Sequence, residues 1–250
     1  MNDPRASSSW RDTARAPLTE HAVHVWRVAL DEEWRAEAYQ PLLSAEERER
    51  AARCLSAAHR RRYVVSHGAL RILLGDYLGV APEDISYEVG VHGKPTLAAK
   101  FRSPARVEFN LSHSEDIALV ALARARSVGV DVQHWSPGVE HLRLAERFFS
   151  PRERDALRAL SDSSDGIAAG FFAAWTRKEA YLKATGDGIA RGLQHFDVSL
   201  SPGERARLLA DRLDHDATTR WSMESFEPAP RYSAAVVVAS PLHDVERFEL

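Results

Sequence analysis

Two capping boxes set the architecture that this chain can adopt. Ser44 is followed three positions later by Glu47, and Ser150-Pro151-Arg152-Glu153 repeats the spacing. In a capping box the serine and the acidic side chain each bond to the other's backbone N–H group, so each pair marks the start of a helix. After each start the sequence predicts a long helix and then several strands. This repetition predicts an α+β fold of two similar halves.

The spacing of apolar residues predicts the bounds of these elements. The expected helices cover residues 31–40, 44–53, 58–78 and 166–184, and the expected strands cover 23–29, 85–89, 107–111, 117–123, 128–132, 196–200, 221–226 and 232–239. We place the halves at residues 20–125 and 126–250, preceded by a disordered extension over residues 1–19. The sequence has no Gly-, Ser- or Pro-rich linker between the halves, which favours tight packing between them.

The overall composition excludes several classes of function. The chain has 33 basic and 36 acidic residues and a formal net charge of -3, which argues against a general nucleic-acid-binding protein. Cys54 is its single cysteine, so the sequence predicts no internal disulfide. No apolar run approaches the ~18 residues of a membrane span, and residues 1–19 lack the apolar core of a signal peptide. We therefore expect a cytoplasmic protein without nucleic-acid or membrane partners.

Lysine is rare in this chain, and its positions are informative. The basic residues divide into 29 arginines and only four lysines, Lys94, Lys100, Lys178 and Lys183. A compact ammonium group is not chemically interchangeable with a planar guanidinium group. Three of the lysines lie in segments that carry the chemistry described below, whereas we expect Lys100 to be a surface residue.

Asp131 is an acidic residue inside an apolar strand. It follows Val128, Gly129 and Val130 and precedes Val132, a pattern that predicts a buried strand. Burying a carboxylate without a partner is costly. Asp131 must therefore lie at a strand edge, pair with a cation or bind a metal, and a salt bridge to one of the many arginines would be sufficient.

Trp175, Glu179 and Lys183 share one face of the long second helix, because they lie four residues apart. A solvent-exposed Glu–Lys pair would explain two of them. The aromatic Trp175 and its apolar neighbours instead favour a partly buried face. A carboxylate and an ammonium group there, with Asp131 nearby, are typical of a metal–phosphate site, since Mg²⁺ takes only one or two protein carboxylates.

Two shorter segments are less specific alone. His113 lies between Ser112 and Ser114 in the segment NLSHS at 110–114. These three side chains could hold a phosphate group, although a structural histidine would explain the same residues. The segment Gly93-Lys94-Pro95 by itself predicts only a turn.

Taken together and in this order, the four segments resemble the Sfp-type 4′-phosphopantetheinyl transferases. That family carries a GKP turn, an N-[IL]-S-H-S strand end, a G-[IV]-D-[IV]-E strand and a W-[ST]-x-K-E-x-x-x-K helix. The corresponding segments here are residues 93–95 (GKP), 110–114 (NLSHS), 129–133 (GVDVQ) and 175–183 (WTRKEAYLK). The resemblance extends from about Ser44 to Val198, which is most of the chain.

This resemblance implies a reaction and a fold. Such enzymes transfer the phosphopantetheine arm of coenzyme A to a serine of an apo acyl or peptidyl carrier protein, releasing adenosine 3′,5′-bisphosphate. Carrier proteins of this kind serve polyketide, nonribosomal peptide, fatty acid or lysine biosynthesis. The implied fold has two α+β halves related by a pseudo-twofold axis, with coenzyme A between them and one chain working as a monomer.

The resemblance also implies roles at the reacting centre. Asp131 and Glu179 would hold Mg²⁺, or Mn²⁺ in its place. Glu179, directly or through a water molecule, would accept the proton of the carrier serine. Lys183 would contact the α-phosphate side of coenzyme A and assist the leaving group.

The implied coenzyme A contacts are Arg50, Arg62, Gly93, Lys94, Pro95, Ser112, His113, Lys178 and Lys183. Within this set, His113 and Ser112 would bind the 3′-phosphate with help from the two arginines, since a guanidinium fork binds two phosphate oxygens at once. Residues 93–95 would line the adenine pocket.

Gln133 departs from the family pattern, which often has an acidic residue at this position. A neutral amide can contact the metal through a water molecule but adds no charge, so we expect activity with an altered metal preference. Two alternatives remain from the sequence. One is a non-catalytic binder of carrier protein or coenzyme A, and the other is a different Mg²⁺-dependent phosphotransferase acting on nucleotides. The lack of a glycine-rich phosphate loop in the sequence counts against the second.

Overall fold

Two main sheets and two long helices build the core of the fold. The computed structural model describes residues 17–90, 93–101, 106–136, 138–160, 164–201, 203–242 and 244–250. The elements of the first half are β1 (Ala22–Ala29), α1 (Glu33–Tyr39), α2 (Ala45–Ala52), α3 (Ala57–Leu78), β2 (Tyr87–Val89), β3 (Pro95–Leu97), β4 (Val107–Ser114) and β5 (Ile117–Arg124). Those of the second half are β6 (Val128–His134), α4 (His141–Phe148), α5 (Pro151–Arg158), α6 (Ser164–Thr185), β7 (Phe196–Val198), β8 (Leu208–Asp211), α7 (Ala217–Arg220), β9 (Trp221–Phe226), β10 (Tyr232–Ala239) and β11 (Asp244–Glu249). The predicted α+β class is confirmed.

The two main sheets pack face to face. The first has the strand order β11-β1-β5-β4 and the second the order β6-β10-β9. Small apolar side chains from both sheets meet in one buried cluster that includes Val25, Val130 and Val236. Helix α3 covers the outer face of the first sheet, and α6 covers the outer face of the second. The layer order is therefore helix, sheet, sheet, helix.

The two halves repeat one order of elements. In the first half β1, α3, β4 and β5 follow one another, and β5 lies between β1 and β4 in the sheet. In the second half β6, α6, β9 and β10 do the same, with β10 in the middle. A short hairpin follows each long helix, β2–β3 in one half and β7–β8 in the other. This order agrees with the expected duplication, while the twofold axis itself stays a prediction.

Both predicted capping boxes form. Glu47 N donates to Ser44 Oγ at 3.2 Å, and Ser44 N donates to Glu47 Oε2 at 2.8 Å. Ser150 and Glu153 exchange the same two hydrogen bonds at the start of α5. Each box satisfies N–H groups that a helix start would otherwise leave unpaired.

Each long helix adds one buried cation to the capping box before it. Arg71 Nε lies 2.7 Å from Glu47 Oε2, and Lys178 Nζ lies 2.8 Å from Glu153 Oε2. Arg71 and Lys178 each lie seven residues before the last residue of their helix, and both are almost fully buried. Each also donates to backbone carbonyl groups beyond the end of its helix. The same kind of ion pair thus ties the short helix to the long one in each half.

The structure adds elements that the sequence patterns did not predict. Helices α4 and α7 and strands β3, β8 and β11 had no predicted counterpart, whereas the predicted bounds of β9 and β10 are confirmed. β11 pairs in parallel with β1, with Val245 beside Val23, so the last residues complete the sheet of the first half. Only Val245 and Phe248 are apolar in β11, too few for a recognisable strand pattern.

Most of the predicted extension over residues 1–19 lies outside the described residues. Within the described part, Leu18 packs against the apolar cluster between α3 and the first sheet. The division into halves at residues 125 and 126 stays a prediction. Among the described helices, none has both the length and the apolar character needed to cross a membrane.

Candidate active site

Asp131 lies where β6 faces α6. Side chains alternate between the two faces of a strand, and Val130 and Val132 point into the cluster between the sheets. This alternation leaves Gly129 and Asp131 on the side of α6. Asp131 is 2% exposed, so its charge depends on partners within the protein.

Within the described part of the chain, three side chains bond to the Asp131 carboxylate. Lys183 Nζ donates to Oδ1 at 2.6 Å and Ser112 Oγ donates to the same oxygen at 2.9 Å. Gln133 Nε2 donates to Oδ2 at 3.2 Å. Lys183 Nζ also donates to Ser112 Oγ at 2.9 Å. Of the options that the sequence left open, the structure shows a cation partner for Asp131, and this cation is Lys183 rather than an arginine.

Gly129 allows α6 to approach β6 at this point. A Cβ atom on Gly129 would lie 2.2 Å from Ala180 O and 2.4 Å from Ala184 N, where no side chain fits. Lys183 belongs to the same turn of α6, so the close approach brings its ammonium group within reach of Asp131. A glycine inside a strand pattern often marks such an approach, and sequence reasoning missed this signal.

Glu179 lies one helical turn before Lys183 and faces the same site. Burial and the negative charge of Asp131 raise the pKa of Glu179, and the Lys183 ammonium group opposes the rise. Trp175, on the same face of α6, packs against Phe148 and Phe171. This stripe of the helix is therefore partly buried, as its aromatic residue indicated.

The chemistry of the Asp131 and Glu179 carboxylates would suit a divalent cation whose remaining ligands are water and phosphate oxygens. Among the described residues, no group of three or more His, Cys, Asp or Glu side chains is placed to hold a metal ion. Mg²⁺, however, takes only one or two protein carboxylates and fills its octahedron with water and phosphate oxygens. A cation beside Asp131 and Glu179 would offset the like charges that help to raise the Glu179 pKa. Gln133 could add only a neutral amide oxygen.

His113 and Ser112 point to opposite faces of β4, because side chains alternate along a strand. Ser112 is buried against Asp131, and His113 is exposed. Partial withdrawal from water and the positive charges of Lys183 and Arg62 lower the pKa of His113, whereas Asp131 raises it. Both residues thus lie near the site, but on different sides of the strand.

The two predicted arginines lie on the first-half helices, Arg50 in α2 and Arg62 in α3. Arg62 Nη2 lies 2.7 Å from Glu115 and its Nε lies 3.0 Å from Asp116. Both acids belong to the turn that follows His113. Arg50 is exposed in the last turn of α2.

His67 of α3 was not singled out in the sequence, where nothing distinguished it from other histidines. Burial, together with the charges of His113 and Arg50, lowers the pKa of His67 to about 4. Its ring stacks on Tyr63 with 3.8 Å between the centroids. A neutral, half-buried imidazole therefore lies within electrostatic range of both His113 and Arg50.

The turn at residues 93–95 lies against the start of β6. Lys94 Nζ donates to Val128 O at 3.0 Å and so connects the two halves, and burial lowers the pKa of Lys94. Gly93 has φ of 84°, a conformation that favours glycine, and Pro95 begins β3. The structure thus brings this turn to the strand that carries Asp131.

Lys178 lies apart from these residues. Its ammonium group is fully buried, pairs with Glu153, and donates to Leu193 O at 2.7 Å and to Phe196 O at 2.5 Å. Although it precedes Glu179 in the chain, it points to a different side of α6. The structure does not bring Lys178 to the other predicted coenzyme A contacts.

Two carboxylates, a lysine and nearby His and Arg side chains at one junction are typical of enzymes that act on phosphate groups. Residues 25–125 match the family described as "4'-phosphopantetheinyl transferase, N-terminal" and residues 127–237 match the "4'-phosphopantetheinyl transferase superfamily". The chain belongs to this superfamily, and the predicted family and enzyme class are confirmed.

Three relatives illustrate the match. The 4'-phosphopantetheinyl transferase HetI of Nostoc sp. is 40% identical over 89% of this chain and 90% of its own. The 4'-phosphopantetheinyl transferase psf-1 of Bacillus pumilus is 34% identical over 82% of each chain. The L-aminoadipate-semialdehyde dehydrogenase-phosphopantetheinyl transferase of Homo sapiens is 26% identical over 80% of this chain and 68% of its own.

Proposed function

We propose that this protein transfers the 4′-phosphopantetheine arm of coenzyme A to a serine of an apo carrier protein, releasing adenosine 3′,5′-bisphosphate in a Mg²⁺-dependent reaction. The observation that carries the proposal is the cluster at the junction of the halves. There, Lys183 and Ser112 hold Asp131, and Glu179 lies one helical turn away. Membership of the superfamily supports the kind of group that is transferred.

The reaction sets clear demands on these residues. A bond forms between the carrier serine oxygen and the β-phosphorus, and the bond from that phosphorus to the oxygen shared with the α-phosphate breaks. Negative charge must be stabilised on the phosphate oxygens and on the leaving group, which a bound divalent cation supplies. Asp131 and Glu179 are the residues that would hold Mg²⁺, or Mn²⁺ in its place, with Gln133 contributing through water.

Glu179 is our candidate for the general base. Burial and the nearby Asp131 charge raise its pKa, and a carboxylate with a raised pKa accepts a proton more readily than an ordinary exposed one. It would accept the proton of the carrier serine directly or through one water molecule. Its place on a rigid 22-residue helix favours a fixed position for this step.

Lys183 would stabilise the leaving group. An ammonium group has three N–H donors, and in the free protein two of them bond to Asp131 and Ser112. We assign the third donor to a phosphate oxygen on the α-phosphate side of coenzyme A. Ser112 would then act by holding Asp131 and Lys183 in place.

The remaining predicted contacts divide between two parts of coenzyme A. His113, with Arg62 and Arg50, would bind the 3′-phosphate. The pKa of His113 is lowered in the free protein, and the negative charge of a bound phosphate would raise it. Arg62 uses Nε and Nη2 for its acidic neighbours, which leaves Nη1 for a phosphate oxygen. Residues 93–95 would line the adenine pocket.

The partner would be an acyl or peptidyl carrier domain, with polyketide or nonribosomal peptide biosynthesis as the expected setting. Both halves of the site come from one chain, which supports action as a monomer. We expect the protein to act in the cytoplasm, as proposed from its single cysteine, Cys54.

Mass spectrometry tests this function. The protein is incubated with several types of apo carrier protein, coenzyme A and Mg²⁺, and each carrier is weighed before and after. We expect a gain equal to one phosphopantetheine group and equimolar adenosine 3′,5′-bisphosphate, both lost when EDTA removes the metal. Carriers that all remain unmodified would contradict the transferase, and coenzyme A binding by calorimetry would then identify a non-catalytic binder.

A further inference from the structure

Strands β4 and β6 lie side by side although they belong to different sheets. β4 is an edge strand of the first sheet, and β6 is an edge strand of the second. Alternate side chains of β4 accept hydrogen bonds from alternate backbone N–H groups of β6. The three bonds are Val130 N to Asn110 Oδ1 at 2.9 Å, Val132 N to Ser112 Oγ at 3.4 Å and His134 N to Ser114 Oγ at 3.0 Å.

These side chains take the place of the carbonyl groups of an ordinary β-ladder. The offset along the chain is the same in all three pairs, so the two strands run parallel in a single register. An edge strand leaves every second N–H group without a partner, and Val130 and Val132 are fully buried here. A buried N–H group without an acceptor lowers the stability of the fold. The β4 side chains therefore supply acceptors that the β6 backbone needs where the two strands lie side by side.

Only the middle acceptor touches the site itself. Ser112 Oγ accepts from Val132 N and Lys183 Nζ and donates to Asp131 Oδ1, so its one donor and two acceptor positions are all used. This arrangement requires the present register of β4. A slip by one residue would bring a side chain from the opposite face of the strand, Leu111 or His113, to this place.

The outer two acceptors lie one strand repeat on either side of Ser112. Asn110 is buried and Ser114 is partly buried, and both bond to the β6 backbone rather than to Asp131. From the sequence, Ser114 was a candidate phosphate contact together with Ser112 and His113, and Asn110 had no individual role, whereas the structure shows both side chains bonded to β6. Their acceptor atoms hold β6 on both sides of the residue that carries the carboxylate.

We propose that Asn110 and Ser114 are positioning residues, which fix the register between β4 and β6 and so hold Asp131, Ser112 and Lys183 in their working arrangement. The structural part of this role stands on the hydrogen bonds alone. Its catalytic consequence rests on the proposed transferase function.

Amide hydrogen exchange in the native state tests the structural part. Ser114→Ala should increase the exchange of His134 N–H by about tenfold or more, and Asn110→Ala should do the same for Val130 N–H. Ser114→Thr keeps a hydroxyl acceptor and should retain the wild-type rate. Ser222→Ala is the matched control, because it removes a serine–serine hydrogen bond on β9 and should leave both amides unchanged. Wild-type exchange in Ser114→Ala would overturn the proposal.

Kinetics and metal binding test the catalytic consequence. Ser114→Ala should lower kcat by roughly tenfold, as expected for a small misplacement of reacting groups. It should also raise the Mg²⁺ concentration needed for half-maximal rate, with KM for the carrier protein nearly unchanged, and Ser114→Thr should restore both values. Wild-type kcat and Mg²⁺ dependence in a Ser114→Ala protein that has lost amide protection would refute the positioning role.

The two proposals fail in different ways. A wild-type protein that modifies no carrier would refute the transferase, and Mg²⁺ affinity measured by calorimetry on the same variants would then decide the positioning role. Weaker binding in Ser114→Ala, restored in Ser114→Thr, supports it, and equal binding contradicts it. If Asn110→Ala does not fold, the two Ser114 variants carry the test.

Discussion

The two halves share an order of helices and strands and one buried ion pair, but they differ in the side chains near the candidate active site. In each half a capping-box acid pairs with a buried cation on the long helix, Glu47 with Arg71 and Glu153 with Lys178. Both cations also bond to carbonyl groups beyond their helix. The repeated pair therefore belongs to the architecture, which either an arginine or a lysine can support.

The residues next to these cations differ between the halves. Glu179 and Lys183 follow Lys178 on α6, whereas the residues at the same spacing after Arg71 on α3 are Ile72 and Asp76. Among the described residues, Glu179 and Lys183 of the second half lie near the acidic strand residue Asp131, and the first half has no matching set. The halves therefore share an order of elements and a buried ion pair, but they do not share the candidate reacting centre.

Removing the Asp131 charge should have the largest effect. Asp131→Asn takes away one of two carboxylates for the metal and leaves the Lys183 ammonium group without its anionic partner. We expect the transfer rate to fall by roughly a thousandfold or more, as when several kcal/mol of charge stabilisation are lost. The rate is measured by mass spectrometry of the carrier, and circular dichroism checks the fold. Asp76→Asn removes an acidic group from α3, at the position that corresponds to Lys183 of α6, and is the control that should transfer at the wild-type rate.

The architectural pairs should affect stability in both halves alike. Breaking a buried ion pair from one side leaves an uncompensated charge, so Arg71→Met and Lys178→Met should each lower the free energy of unfolding by about 3–5 kcal/mol. Arg71→Lys should lower the free energy of unfolding much less, because in the second half a lysine, Lys178, forms the corresponding ion pair. Urea denaturation measures the stability of all three variants. A Lys178→Met protein as stable as wild type would show that the ion pair does not have the same structural role in both halves.

Lys183 should not tolerate arginine, in contrast to the architectural lysine. Its compact ammonium group bonds to Asp131 and Ser112 at once, and a planar guanidinium group cannot reproduce this geometry. Lys183→Arg should reduce kcat by about a hundredfold, whereas Lys178→Arg should change kcat far less per folded molecule. Equal losses in steady-state assays would show that the two lysines do not have separate roles.

The pH dependence of coenzyme A binding should be the smallest effect. Withdrawal from water and the positive charges of Lys183 and Arg62 lower the pKa of His113. His59 lowers it by a smaller amount, and the negative charge of Asp131 raises it.

The neutral form of His113 is therefore favoured in the free protein, and a bound 3′-phosphate would favour the protonated form, so that His113 takes up a proton on binding. Affinity should strengthen as pH falls from about 8 to about 6. Calorimetry of coenzyme A binding checks this, and His113→Gln should flatten the profile. A profile that keeps its slope in the variant would place the titrating group elsewhere.

What the sequence could predict was largely local. Helix starts at Ser44 and Ser150 and the long apolar helices depend on neighbouring residues, and these were predicted correctly. The pairing of β11 with β1 joins opposite ends of the chain, so no local pattern could indicate it. The same limit applies to the site, because the sequence does not show which of the 33 basic residues pairs with Asp131.

Side-chain direction was the other obstacle. Lys178 and Lys183 lie in one motif, and only the packing of α6 shows that the first is buried beneath the helix and the second meets Asp131. Likewise, Ser112 and His113 were assigned together, although their places on β4 put them on opposite faces. A motif fixes the spacing of residues along the chain, but it does not show which of their side chains are in contact in the folded protein.

The adjacent residues Lys178 and Glu179 allow the most direct test of this account. Transfer per folded molecule is measured by carrier mass spectrometry for Glu179→Gln and Lys178→Met under conditions where both are folded. We predict that Glu179→Gln is as stable as wild type but transfers nothing, and that Lys178→Met is less stable but transfers at close to the wild-type rate. Substantial transfer by Glu179→Gln would contradict the account.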